Sequence, residues 1–220
     1  MSTTRSQASL QQAELQVAIG PGLLAATRLV PARPRGLVLL AEAGGGRDGP
    51  ETTLLARALA AEGLAVVVVD LLGPDEGPGR ADVALLASRL GQVTAWADRQ
   101  ELTAGLPLAY VARGHAAAAA FVAAAFLGER VRAVVTRDGR PDLAGPFLAH
   151  VRAATLLIID GHTDGNTDAH AESTSAQLQR QARVLLARAE VVALPVDAAD
   201  AAFRRTATSW LAAQLAPRQA

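Results

Sequence analysis

Apolar and polar positions alternate along this chain in blocks. Six nearly continuous apolar runs of strand length, "GLVLLAEA", "GLAVVVVDLL", "LPLAYVA", "RAVVTRD", "ATLLIIDG" and "EVVALPV", are separated by longer stretches with helical periodicity. The helices are expected over Glu51 to Glu62, Ala81 to Trp96, the alanine-rich stretch after His115, Ala171 to Ala187 and a closing segment to about Leu215. Strands that are apolar throughout are buried on both faces, and their regular alternation with helices predicts a mainly parallel sheet covered on both sides. Ahead of them, "ELQVAIG" and "GLLAATRLV" flank the Gly20-Pro21-Gly22 turn and predict a short antiparallel hairpin. The pattern divides the chain into a polar, frayed segment over 1–12 and one α/β domain over 13–216.

In an open parallel sheet, ligands and chemistry gather at the carboxyl ends of the strands. The loops to inspect are therefore Glu42 to Pro50, Gly73 to Arg80, Arg113 to His115, Arg137 to Pro146, Asp160 to His170 and Val196 to Asp200. The segment "LLGPDEGPGRADV" is the richest in turn residues and is expected to cap the sheet edge, and "GRPDLAGP" is expected as a turn-rich connection.

Composition narrows the function classes. The 220 residues are half apolar with zero formal net charge, which argues against a nucleic-acid partner and against an acidic membrane surface. Cysteine is absent, so disulfides, thiolate metal sites and a cysteine nucleophile are excluded. The start "MSTTRSQASLQQAELQ" lacks the apolar core of a signal peptide and no apolar run reaches the length of a membrane span, so a cytoplasmic protein is expected.

The stretch "AVVTRDGRPDLAGPFLAHVRAATLLIIDG", together with "GLAVVVVDLLGPDE" and "LPLAYVARGHAAAAAFVAAA" in the same order, resembles the dienelactone-hydrolase-like branch of the α/β-hydrolase family over almost the whole chain. The resemblance implies an α/β-hydrolase fold: a mainly parallel eight-stranded sheet with helices on both faces behind the N-terminal hairpin. It also implies a serine, acid and histidine triad. The family's nucleophile sits at the centre of a G-x-S-x-G elbow, a strained strand-to-helix turn. Laid onto this chain, the centre is Gly114, between Arg113 and His115, so the hydroxyl is missing. The family's histidine follows the last strand, and the matching position falls at about Ala199; no histidine occurs after His170. The acid would follow the strand ending near Ile159, where Asp160 and Asp164 stand, with Asp164 the closer match if one residue is inserted. In the oxyanion region the family's histidine and glycine are replaced by Glu42 and Ala43, and a carboxylate there opposes the negative charge that ester hydrolysis develops.

The reading drawn from these positions is a catalytically degenerate hydrolase-fold protein that acts by binding a small polar ligand or by associating with a protein partner or further copies of itself. Its pocket candidates are Glu42, Ala43, Arg113, Gly114, His115, Arg137, Asp138, Asp160, His162 and Asp164. Two alternatives stand beside it. One is an ester or lactone hydrolase with a relocated site, for instance Ser173 or Ser175 with His162 or His170; the other is an oligomeric scaffold using the alanine-rich helices. The loop carrying Asp160, His162, Asp164, Asp168 and His170 has metal-binding side chains but no helical spacing to organise them, so no metal or other cofactor is expected. "AGGGRDG" exposes consecutive backbone amides and could cradle an anion, but it lacks the lysine and spacing of a phosphate loop, and a flexible loop is the favoured reading.

Overall fold

In the computed structural model, residues 10–73, 76, 82–160, 174–194 and 199–217 are described. Eight strands form one sheet: β1 (Gln11–Ile19), β2 (Gly22–Val30), β3 (Leu37–Glu42), β4 (Ala65–Asp70), β5 (Leu108–Arg113), β6 (Val131–Arg137), β7 (Ala154–Asp160) and β8 (Ala189–Leu194). Their spatial order is β1-β2-β4-β3-β5-β6-β7-β8. The hairpin β1–β2 is antiparallel and meets β4 antiparallel; every other pairing is parallel. The hairpin and the parallel strands are those the hydropathy pattern predicts, and the eight-stranded sheet is the one the family resemblance implies.

Among the described residues, five α-helices cover the sheet: α1 (Pro50–Ala61), α2 (Val83–Ala97), α3 (Gly114–Leu127), α4 (Thr174–Leu185) and α5 (Ala199–Gln214). Alternate strand residues divide between two cores. Leu39, Val67, Tyr110 and Val134 pack with α2, α3 and α4 on one side, whereas Leu40, Val68, Val111 and Val135 pack with α1 and α5 on the other. Local chemistry sets the helix starts. Pro50 begins α1, where its missing N–H costs nothing, and the Asp82 carboxylate caps α2 by accepting from Ala84 N–H at 2.9 Å. That cap places the start of α2 at Val83, two residues later than the periodicity suggests.

Helix α3 is apolar on every face and is buried from Ala116 to Ala124, as a central helix must be. Its alanines allow a close approach. A β-carbon on Gly139 would lie 2.6 Å from that of Ala117, so the chain leaving β6 can pass α3 only with glycine at 139. The segment read as turn-rich is instead coiled, as a 3₁₀ stretch over Pro141–His150 broken at Gly145 (φ 53°), with Ala144 and Leu148 buried. Among the described residues no helix is long and apolar enough to cross a membrane.

Candidate functional site

Five neighbouring parallel strands each end on a charged residue: Glu42 on β3, Asp70 on β4, Arg113 on β5, Arg137 on β6 and Asp160 on β7. Strand register sets Glu42 opposite Asp70 and Arg113 opposite Arg137. The apolar runs thus deliver their terminal charges to one line across the carboxyl edge of the sheet.

At the centre of that line the chain passes from β5 into α3 with no intervening loop. Arg113 is extended (φ −128°, ψ 155°), and Gly114 takes φ +52°, a left-handed conformation that costs other residues about 1 kcal/mol or more. A β-carbon at Gly114 would meet nothing within 4 Å. Arg140 N–H donates to Gly114 C=O at 3.2 Å and ties the turn to the chain after β6.

Arg137 dominates the site. Its side chain is 6% exposed and grips Asp160 with Nε at 2.8 and 2.9 Å from the two oxygens and a terminal nitrogen at 2.6 Å. Its other terminal nitrogen lies 2.5 Å from Asp200, the second residue of α5. Arg113 reaches the same Asp200 oxygen at 3.9 Å. Both guanidinium groups lie over the buried Phe203 ring, 5.0 Å away for Arg137 and 5.7 Å for Arg113, within cation–π range. Burial disfavours the Arg137 charge, but hydrogen bonds to Asp160 and Asp200 outweigh it and hold the guanidinium more firmly protonated than usual. Burial likewise pushes the Asp160 carboxyl up; the hydrogen bonds and charge of Arg137 prevail and hold it below its ordinary value. Asp138, with the positive φ of 44° that Asp tolerates better than most residues, accepts from Asp160 N–H at 3.1 Å and braces the pair. The charges at this edge form a half-buried network centred on an enclosed arginine.

Glu42 occupies the adjacent niche. It is buried and accepts from Thr52 Oγ1 at 3.1 Å. Burial raises its pKa above 4.5, partly offset by Thr52 and by Arg113, while Asp70 adds to the rise. Glu42, Thr52, Arg113 and Phe203 border a cavity of only about 10 Å³, roughly the space of one water. An Arg204–Glu51 pair at 2.8 Å joins α5 to α1 beside it. The glycine loop is not an open anion cradle: the amides of Gly44 and Gly45 donate to the Asp70 carboxylate at 3.2 and 2.5 Å, so a side chain already holds the anion's place.

The raised Glu42 pKa has a signed consequence. The folded state holds this proton more tightly than the unfolded chain, so the contribution is fully present below about pH 4.5 and is lost as pH rises through the folded pKa. The slope is at most about 1.4 kcal/mol per pH unit. Urea denaturation from pH 4.5 to 7 is expected to show this decline in the wild-type chain and a flatter profile in Glu42→Gln; parallel profiles would remove Glu42 as its source.

Of the pocket candidates, Glu42, Arg113, Gly114, Arg137, Asp138 and Asp160 gather at this edge. Ala43 packs against the core, and His115 points to solvent at the start of α3. His162 and Asp164 lie outside the described residues, as do Asp168, His170 and Ser173; Ser175 lies on α4. Both Asp160 oxygens accept from Arg137. Sequence reasoning missed Asp70, Thr52, Asp200 and Phe203. The available signal for Asp200 was its place directly after Ala199, the first residue of α5.

The strand order, the loopless β5–α3 turn and the cluster of functional groups at the carboxyl edge define an α/β-hydrolase fold. No family model matches the chain. Among solved structures, dienelactone hydrolase from Anabaena variabilis is 30% identical, with a TM-score of 0.80 over 93% of this chain and 98% of that one. The chain therefore belongs to the dienelactone-hydrolase-like branch of the α/β-hydrolase family. Est1E from Butyrivibrio proteoclasticus shares the fold at 10% identity, with a TM-score of 0.75 over 92% of this chain and 98% of that one. By sequence, the chain is 46% identical over 156 residues to a Mycobacterium tuberculosis protein called "Putative phosphoribosyl transferase". The match covers 69% of this chain and 35% of that protein, so the chain spans about a third of the length of the curated relatives it matches.

Proposed function

We propose that this chain is a catalytically degenerate member of its family, a pseudoenzyme that works by binding and not by hydrolytic turnover. The observation that carries this reading is the Arg137 bridge. It links Asp160, at the end of the strand where the family's acid is expected, to Asp200, beside the position expected for the histidine. An imidazole acting as a base needs a carboxylate partner and a nucleophile within hydrogen-bond reach. Here one carboxylate is neutralised by an arginine, the elbow position is Gly114, and Ala199 carries no proton acceptor. The exposed side of the network, where Arg113 and Asp200 remain 38% and 51% accessible, suits a small polar ligand that exchanges ion pairs with them.

Association with another polypeptide is the second mode of action, and one observation favours it. The M. tuberculosis relatives carry about two thirds of their length outside the matched segment, so this fold is there part of a much longer chain. The phosphoribosyl transferase name is that of those longer proteins.

Incubation with a fluorophosphonate probe followed by intact-mass spectrometry tests the central reading. No mass increase is expected under conditions that fully label a control serine esterase. Stoichiometric labelling mapped to Ser173 or Ser175 would establish the relocated hydrolase instead.

A further inference from the structure

The opposite edge of the sheet carries a second concentration of charge. Arg132 is the second residue of β6, Arg152 lies two residues before β7, and Arg188 immediately precedes β8. These strands are parallel neighbours, with Ala133 opposite Ala154 and Thr155 opposite Ala189. The three arginines therefore enter at nearly one level across adjacent strands spaced about 4.8 Å apart. They line a pocket of about 300 Å³ closed on another side by the end of α5, at Gln214, and by Pro217.

The charges in this pocket do not balance. Arg152 has a long, exposed pair with Glu129 at 3.6 Å, whereas Arg132 and Arg188 make no ion pair among the described residues. Like charges drawn together repel, and the carbonyl end of α5 offsets this only by a fraction of a charge. Each guanidinium offers a planar fork of donors matched to tetrahedral oxyanions, and the volume lies at the lower end of the range for small-molecule sites. The pocket lies one strand length, on the order of 20 Å, from the Arg137 network, so it is independent of the function proposed above.

We propose that Arg132, Arg152 and Arg188 form an anion site for a small phosphorylated molecule bearing at least two negative charges, such as a phosphate ester or a diphosphate. Arg132 and Arg188 supply the uncompensated charge, and Arg152 exchanges Glu129 for the ligand.

Isothermal titration of the whole chain with inorganic diphosphate, at an ionic strength held constant with sodium chloride, tests the site. Saturable binding is expected, weakened about tenfold or more by Arg188→Gln and abolished in the Arg132→Gln/Arg188→Gln pair, because charge-assisted hydrogen bonds to the ligand are lost. Arg99→Gln, at an exposed arginine outside both sites, should leave the affinity unchanged. Far-UV circular dichroism and thermal melts of each variant establish that the fold is kept, and Arg188→Lys should recover part of the affinity through its charge. Absence of saturable binding would overturn the proposal. So would affinity that survives the double substitution, or affinity that falls with Arg113→Gln, which would place the anion at the carboxyl edge.

Discussion

Arg137→Met is expected to lower folding stability by about 3–5 kcal/mol, the largest loss from any single polar substitution at the carboxyl edge. The figure follows from what is left behind. Removing one member of a buried ion pair strands the other charge in a poorly solvated place, which costs more than the pair contributes when intact. Arg137 is enclosed and Asp160 is 19% exposed, so Asp160 would lose the guanidinium that holds it ionised. Asp200, at 51% exposed, can turn to water, and Asp200→Asn should therefore cost far less. For a domain of this size the Arg137→Met loss corresponds to a fall of about 6–20 °C in Tm. Urea denaturation of the two variants decides the point: a loss below about 1 kcal/mol for Arg137→Met would mean that solvent screens the network and that Arg137 is an ordinary surface pair.

The unequal legibility of fold and site in this sequence has a physical origin. The apolar runs that became β3 to β8 are one-dimensional signals, since a strand buried on both faces must be apolar at nearly every position. The Gly114 turn was also legible, because a strand-to-helix elbow demands a left-handed residue at one position and small neighbours around it. What the sequence does not carry is pairing. Arg137 and Asp200 are 63 residues apart and meet only because β6 and the start of α5 end at the same edge. Phe203 reads as one more apolar residue of an amphipathic helix, and only the folded chain shows it beneath two guanidinium groups. Asp70 ends an apolar strand like its neighbours, with nothing local to indicate that it occupies the amides of Gly44 and Gly45. Charge at a strand end could be read in advance; its partner could not.

Placing a serine and a histidine at the positions proposed for nucleophile and base, with Gly114→Ser and Ala199→His, is expected to leave hydrolysis of a short p-nitrophenyl ester at least about a thousandfold below a serine esterase measured on the same substrate. The serine itself can be housed, because a β-carbon at position 114 meets no atom within 4 Å and the backbone keeps its elbow. The obstacles lie around it. An imidazole at position 199 would stand next to Asp200 and face an Asp160 whose oxygens are both held by Arg137, so the two carboxylates described beside it are already engaged by that arginine. Glu42 places a buried carboxyl beside the cavity, and the loop amides that could receive an oxyanion are donated to Asp70. Loss of one oxyanion donor alone costs about a hundred- to a thousandfold. The cavity, at about 10 Å³, also has no room for an acyl group without movement of Phe203 or Arg113. Adding Arg137→Met to the pair should release Asp160 but bring with it the stability loss predicted above, because the side chain that engages this carboxylate is also the one expected to hold this edge of the fold together. A double variant within about a hundredfold of the control esterase would show that the site lacks only its nucleophile and base, and that the arginine network yields readily to substrate.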